Sequence, residues 1–83
     1  MPYKEDSGES LDFNNCKELG RLYCSYRSTN GPETGGYYWG VINIGYSKNW
    51  FVQIACGAYT DGTMRMYKRM FHSAKTWTAW ESF

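Results

Sequence analysis

From Tyr37 to Trp80 short apolar runs alternate with clusters of turn-forming residues. Val41–Ile44, Trp50–Ala55 and Met64–Tyr67 are rich in β-branched and aromatic side chains and short enough to be strands. Gly45–Asn49 and Gly57–Gly62 separate them, and the second cluster ends in Asp61-Gly62, a pair suited to the positive φ of a tight turn. The pattern predicts an antiparallel meander. Thr76–Trp80 is β-leaning as well, and either adds a strand or packs across the sheet. Upstream, Arg21–Arg27 alternates, with Leu22, Cys24 and Tyr26 on one side and Arg21, Tyr23, Ser25 and Arg27 on the other, as in a strand with one apolar face.

Phe13, Cys16 and Leu19 recur at i, i+3 and i+6, and Gly20 suits the position just past a helix end. A helix of about two turns within Phe13–Leu19 follows, with Asp12 as its cap. Residues 28–36 are a turn-forming cluster, read as an exposed connection. The expected fold is mainly β, a small α+β domain: strands near Arg21–Arg27, Tyr37–Ile44, Trp50–Cys56 and Thr63–Met70, and one short N-terminal helix. Met1–Ser10 lacks periodicity and is read as a disordered lead or linker, leaving 11–83 as a single domain.

Composition sharpens this picture. Eighty-three residues bury only about 60–65% of the surface their unfolded chain exposes. Such a domain cannot enclose all four Trp, eight Tyr and four Phe, so some rings belong to the surface or to an interface between copies. Cys16, Cys24 and Cys56 form no CxxC pair, and Pro2–Ser10 has no signal-peptide pattern. Buried thiols formed in a reducing cytosol are the expectation, with a Cys16–Cys24 disulfide as the alternative. No apolar run approaches the ~20 residues that span a bilayer, so no membrane insertion is expected. Residues 1–47 carry four basic and six acidic side chains, and residues 48–83 five and two. That basic excess is too sparse for a nucleic-acid footprint.

Catalytic constellations are thin. The one histidine, His72, adjoins Ser73, with Asp61 eleven positions earlier, but neighbours along a strand face opposite ways. Asp61 and Glu81 are isolated acids rather than an evident glycosidase pair. One His and three dispersed Cys give no zinc spacing. No enzyme activity, metal or cofactor is expected. Aromatic faces leave sugar binding open: Tyr37, Trp39, Tyr59 and Trp77 are the candidate ligand-binding residues, with core or interface packing as the competing role. Trp77 and Trp80, three apart, would lie on opposite faces of a regular strand.

Read in order, Trp50, Gln53-Ile54-Ala55, Arg69 and Thr76-Trp77-Thr78-Ala79-Trp80 resemble the W..QIA…R…(S/T)W(S/T)xW signature of the pyocin-knob domains, and Asp12-Phe13-Asn14 followed by Gly20-Arg21-Leu22-Tyr23 is similar to their DLN…GxY opening. The chain departs from that pattern at Leu19, where proline often precedes the glycine, and at Lys68 before Arg69. The resemblance spans roughly Leu11 to Glu81. It implies a non-enzymatic structural module of a bacteriophage or prophage tail fibre, located in the virion tail, homotrimeric within a longer fibre, and contributing to recognition of a bacterial surface glycan or other receptor. Trp50, Gln53, Arg69, Trp77 and Trp80 are then its structural signature. A stand-alone carbohydrate-binding module is the alternative. If residues 56 and 63 close the second turn, Trp50 falls opposite Arg69, Val52 opposite Tyr67, Gln53 opposite Met66 and Ile54 opposite Arg65, making Trp50 and Arg69 a cross-strand stacking pair.

Overall fold

The computed structural model describes residues 4–33, 38–59, 61–72 and 75–83. The architecture is mainly β. Strands β1 (Lys4–Asp12), β2 (Arg21–Thr29), β3 (Tyr38–Ser47), β4 (Trp50–Ala58), β5 (Met64–Phe71) and β6 (Glu81–Ser82) form one sheet in chain order. From β2 onward every neighbour is antiparallel, whereas β1 pairs with β2 in parallel. Two expectations are corrected here. The sheet has six strands rather than about four, and Lys4–Asp12 forms a strand where the sequence suggests a disordered lead.

The N-terminal helix is also corrected. Only Phe13–Asn15 turns helically, as a single 3-10 turn. Asp12 caps it as expected, accepting a hydrogen bond from Asn14 N at 2.9 Å. Two consecutive asparagines are poor helix formers. The carbonyls a longer helix would use are also engaged elsewhere. Asn43 Nδ2 donates to the carbonyls of Cys16 (2.8 Å) and Glu18 (3.1 Å), and Gln53 Nε2 to those of Phe13 (3.3 Å) and Cys16 (3.0 Å). Side chains from the sheet thus hold the crossover from β1 to β2 as an irregular strap.

Strand pairing sets which face the strap covers. Val41 pairs with Ala55, Asn43 with Gln53 and Gln53 with Arg69, so these side chains share one face with Tyr23, Ser25, Trp39, Phe51 and Phe71. All of them are buried. The strap brings Phe13 and Cys16 onto Tyr23, Trp39, Val41 and Ala55, and Trp80 packs against that cluster. Gly57, opposite Trp39, has to be glycine for steric reasons: a Cβ there would lie 2.7 Å from the indole. A second cluster joins Phe51, Phe71 and Trp77, with ring centroids 5.0–5.6 Å apart.

On β2 the facing is the reverse of the sequence reading. Tyr23 and Ser25 are buried, whereas Leu22 and Cys24 lie on the other face. Tyr23 earns its position with a polar tip, its hydroxyl accepting from Glu18 N at 3.1 Å. Of the three cysteines only Cys16 is buried; Cys24 is half-buried and Cys56 exposed, and none is in a disulfide. No helix among the described residues is long and apolar enough to cross a membrane.

Candidate functional site

The turn between β4 and β5 is narrower than the sequence suggests. Ala58 pairs with Met64, and Tyr59 and Thr63 close the loop, with Tyr59 N donating to Thr63 O at 3.0 Å. Gly62 takes the expected positive φ, and Asp61 accepts from both Thr63 N (3.0 Å) and Thr63 Oγ1 (2.7 Å). Those bonds lower the Asp61 pKa and commit its carboxylate to the turn. Pairing therefore differs by three residues from the sequence-derived register. Gln53, not Trp50, lies opposite Arg69, and Val52 lies opposite Met70, Ile54 opposite Lys68, Cys56 opposite Met66.

Four of the five signature residues meet at one place. Arg69 Nε donates to Gln53 Oε1 at 2.9 Å, and its guanidinium carbon lies 3.8 Å from the Trp77 ring centroid and 4.3 Å from that of Trp80. Both indoles reach the same guanidinium because residues 77–80 do not form a regular strand. Trp77 makes an isolated bridge to Phe71, Thr78 N donates to Met70 O at 2.8 Å, and pairing resumes only at Glu81. The break cancels the alternation that would have sent the two rings to opposite faces. Trp80 Nε1 also donates to Asn30 O at 3.0 Å, tying the end of β2 to the tail. Burial pushes the Arg69 pKa down to about 10, so the side chain stays cationic at neutral pH. Cation–π contact with two rings offsets part of that desolvation.

Asn43, Gln53 and Arg69 thus form a row across β3, β4 and β5. Each occupies the covered face, and Asn43 and Gln53 supply donors to strap carbonyls that would otherwise be buried without partners. This row is a binding site for the chain's own backbone. Asn43 is absent from the sequence-derived set, although its signal was present: Asn43 and Gln53 are each the one polar residue between aliphatic neighbours, at corresponding places in two strands joined by the two-residue turn Lys48-Asn49.

The candidate ligand-binding residues do not converge. Tyr37 lies outside the described residues. Trp39 is 2% exposed and belongs to the core. Trp77 stacks on Arg69 and packs against Phe51 and Phe71. Tyr59 is half-buried, and its hydroxyl donates to Glu33. Glu33 collects further donors, from the Tyr67 hydroxyl at 2.5 Å and from Arg65 Nη1 at 2.9 and 3.0 Å. The Tyr59 hydrogen bond, then that of Tyr67, lowers the Glu33 pKa, while Tyr59 is pushed up to about 12. This cluster fastens the loop after β2 onto β4 and β5. Trp50, the fifth signature residue, is 53% exposed on the opposite face of the sheet from Arg69.

His72 Nε2 lies 3.0 Å from Thr76 Oγ1, and Ser73 lies outside the described residues. Among the described residues no group of three or more His, Cys, Asp or Glu side chains could hold a metal ion. Shallow clefts among the described residues include one of about 190 Å³ lined by Val52, Lys68, Arg69, Met70, Thr78 and Glu81, and one of about 430 Å³ lined by Leu19, Gly20, Ile42, Asn43, Ile44 and Gly45. No family model, curated protein or solved structure matches the chain.

Proposed function

We propose that the chain is a non-enzymatic packing module of the pyocin-knob kind, serving as a structural spacer in a phage or prophage tail fibre. One observation supports this most directly. Gln53, Arg69, Trp77 and Trp80, on which the resemblance rests, form one buried cluster that secures the strap and the C-terminal tail to the sheet. Residues that recur for such a purpose define a fold rather than a reaction. The three-copy arrangement rests on the resemblance alone.

A carbohydrate-binding module would instead keep aromatic faces open. The exposed rings among the described residues are Tyr38, Tyr46, Trp50 and Phe83, of which Tyr46 and Trp50 lie together at the β3–β4 turn. A glycan array probed with the purified chain separates the readings. The fibre-module reading expects no sugar to be retained above background. A reproducible sugar preference that is lost in Trp50→Ala would replace it with the lectin reading.

A further inference from the structure

Across β2–β5 the second face of the sheet carries one charged residue among the described side chains, Lys68, and no described segment crosses it. The register places Leu22, Ile42, Ile54 and Lys68 in one row across β2–β5, and Cys24, Gly40, Cys56 and Met66 in the next. Tyr38, Ile44, Met64 and Met66 on this face are 61%, 57%, 77% and 44% exposed. Its charged positions lie at the two edges of the sheet: Lys68 and its neighbour Glu81 at the β5–β6 edge, and Glu5, which pairs with Leu22, on β1. Four strands and four rows span about 19 by 27 Å, roughly 500 Å² in projection before side-chain relief is counted. That is already at the upper range of the largest apolar patch on a typical monomer, and relief carries it toward the ~800 Å² per partner of a standard interface.

We propose that the occupant of this face is a second copy of the chain, packed face to face about a two-fold axis that runs across the strands between those two rows. The relief of the face selects this partner. Leu22, Ile42 and Ile54 form a ridge, and beside it Cys24, Gly40 and Cys56 form a trough. A Cβ placed on Gly40 would make ordinary contact with Leu22 Cδ1 at 3.7 Å and clash with nothing, so the trough floor has room for a small apolar group beside Leu22. A ridge beside a parallel trough is complementary to itself under that rotation. Ile42 of each copy seats on Gly40 of the other, Ile54 on Cys56, and Val52 on Ala58. Each strand then lies antiparallel to its own copy, at the ~30° offset that twisted sheets adopt when stacked about 10 Å apart. The edge charges become the rim. The pairing is isologous, as closed dimers require.

The axis also brings Met66 of one copy opposite Lys68 of the other. This makes the sign of a new charge informative. Sedimentation equilibrium of the wild-type chain should give twice the chain mass at about 200 μM, with dissociation on dilution. Met66→Lys, which sets two ammonium groups against each other, should weaken association by at least about 30-fold, whereas Met66→Glu, facing Lys68, should weaken it about tenfold less. Met66 is exposed, and an unchanged circular dichroism spectrum would show that each variant folds. A monomer at the highest concentration, a trimer by mass, or equal weakening by both charges would each overturn the two-fold pairing. The proposal does not rest on the fibre reading. A trimer would favour that reading while removing this pairing, and a glycan preference would remove that reading while leaving this pairing intact.

Discussion

On the covered face of the sheet lie Asn43, Gln53 and Arg69, among the most polar residues its strands contain, and on the open face lie Ile42, Ile44, Val52 and Ile54. Hydrophobicity alone does not rank the two faces, because the covered one also carries Trp39, Val41, Phe51 and Phe71. What decides is the covering material. The strap over residues 13–20 and the tail over 76–80 are irregular, and irregular backbone carries carbonyls that the sheet ladder cannot satisfy. Side-chain amides at Asn43 and Gln53 can satisfy them. The aliphatic residues one step along each strand can satisfy nothing, but they can pack flat against another apolar face. One side of the sheet is therefore built to hold its own chain, and the other to meet a separate surface.

Exchanging the chemistry of the two faces should break this comparison most sharply. Gln53→Leu is close in volume and more apolar, yet it removes a donor to the Phe13 and Cys16 carbonyls and the acceptor of Arg69 Nε. We expect a loss of about 3–5 kcal/mol in urea melts, because several buried polar groups lose partners together. The mirror change on the open face, Ile54→Gln, should alter stability by about 1 kcal/mol or less when measured on dilute single chains. Equal losses at the two positions would show that the faces are not distinct.

The Arg69 sandwich offers the next largest effect. Arg69→Lys keeps the charge and loses the planar group that lies between two indoles and the fixed Nε–H to Gln53, so about 2 kcal/mol should be lost. Combined with Trp77→Leu, the double variant should be less destabilised than the sum of the singles by about 1 kcal/mol. Additive losses in the double-mutant cycle would mean that the 3.8 Å contact carries no coupling.

Acid and alkali should act on the Glu33 cluster, which fixes the loop rather than either face. Because the folded pKa of Glu33 is lowered, its contribution is present above the unfolded carboxyl value of about 4.3 and is lost as pH falls through the lower folded value. Tyr59 runs the other way. Its contribution is present below the unfolded phenol value of about 10 and is lost as pH rises through its folded value of about 12. Thermal melts between these limits should be flat with respect to this cluster. Glu33→Gln should remove its share of both limbs, and limbs unchanged by that substitution would show that the cluster does not anchor the loop.

The smallest effect belongs to Trp50. At 53% exposed and away from Arg69, Trp50→Ala should change the stability of the single chain by about 0.5 kcal/mol or less. A loss of several kcal/mol would restore a packed role for the ring.

Taken alone, the sequence located β2 through β5 closely, because β-branched and aromatic runs bounded by Gly, Asn and Asp reflect local backbone preference. It also named Asp12 as a cap and Gly62 as a turn glycine, two roles set by a residue and its immediate neighbours. It singled out Gln53, Arg69, Trp77 and Trp80 without showing that they touch. Tertiary structure decided which face of each strand is covered, because both faces here contain apolar residues and alternation cannot rank them. It decided the register, since extending β4 to Ala58 and starting β5 at Met64 moved the pairing by an odd number and turned every cross-strand pair over. It reduced the expected helix to three residues, because carbonyls 13, 16 and 18 bind side chains about 25–40 positions away, and no window of local sequence contains both partners.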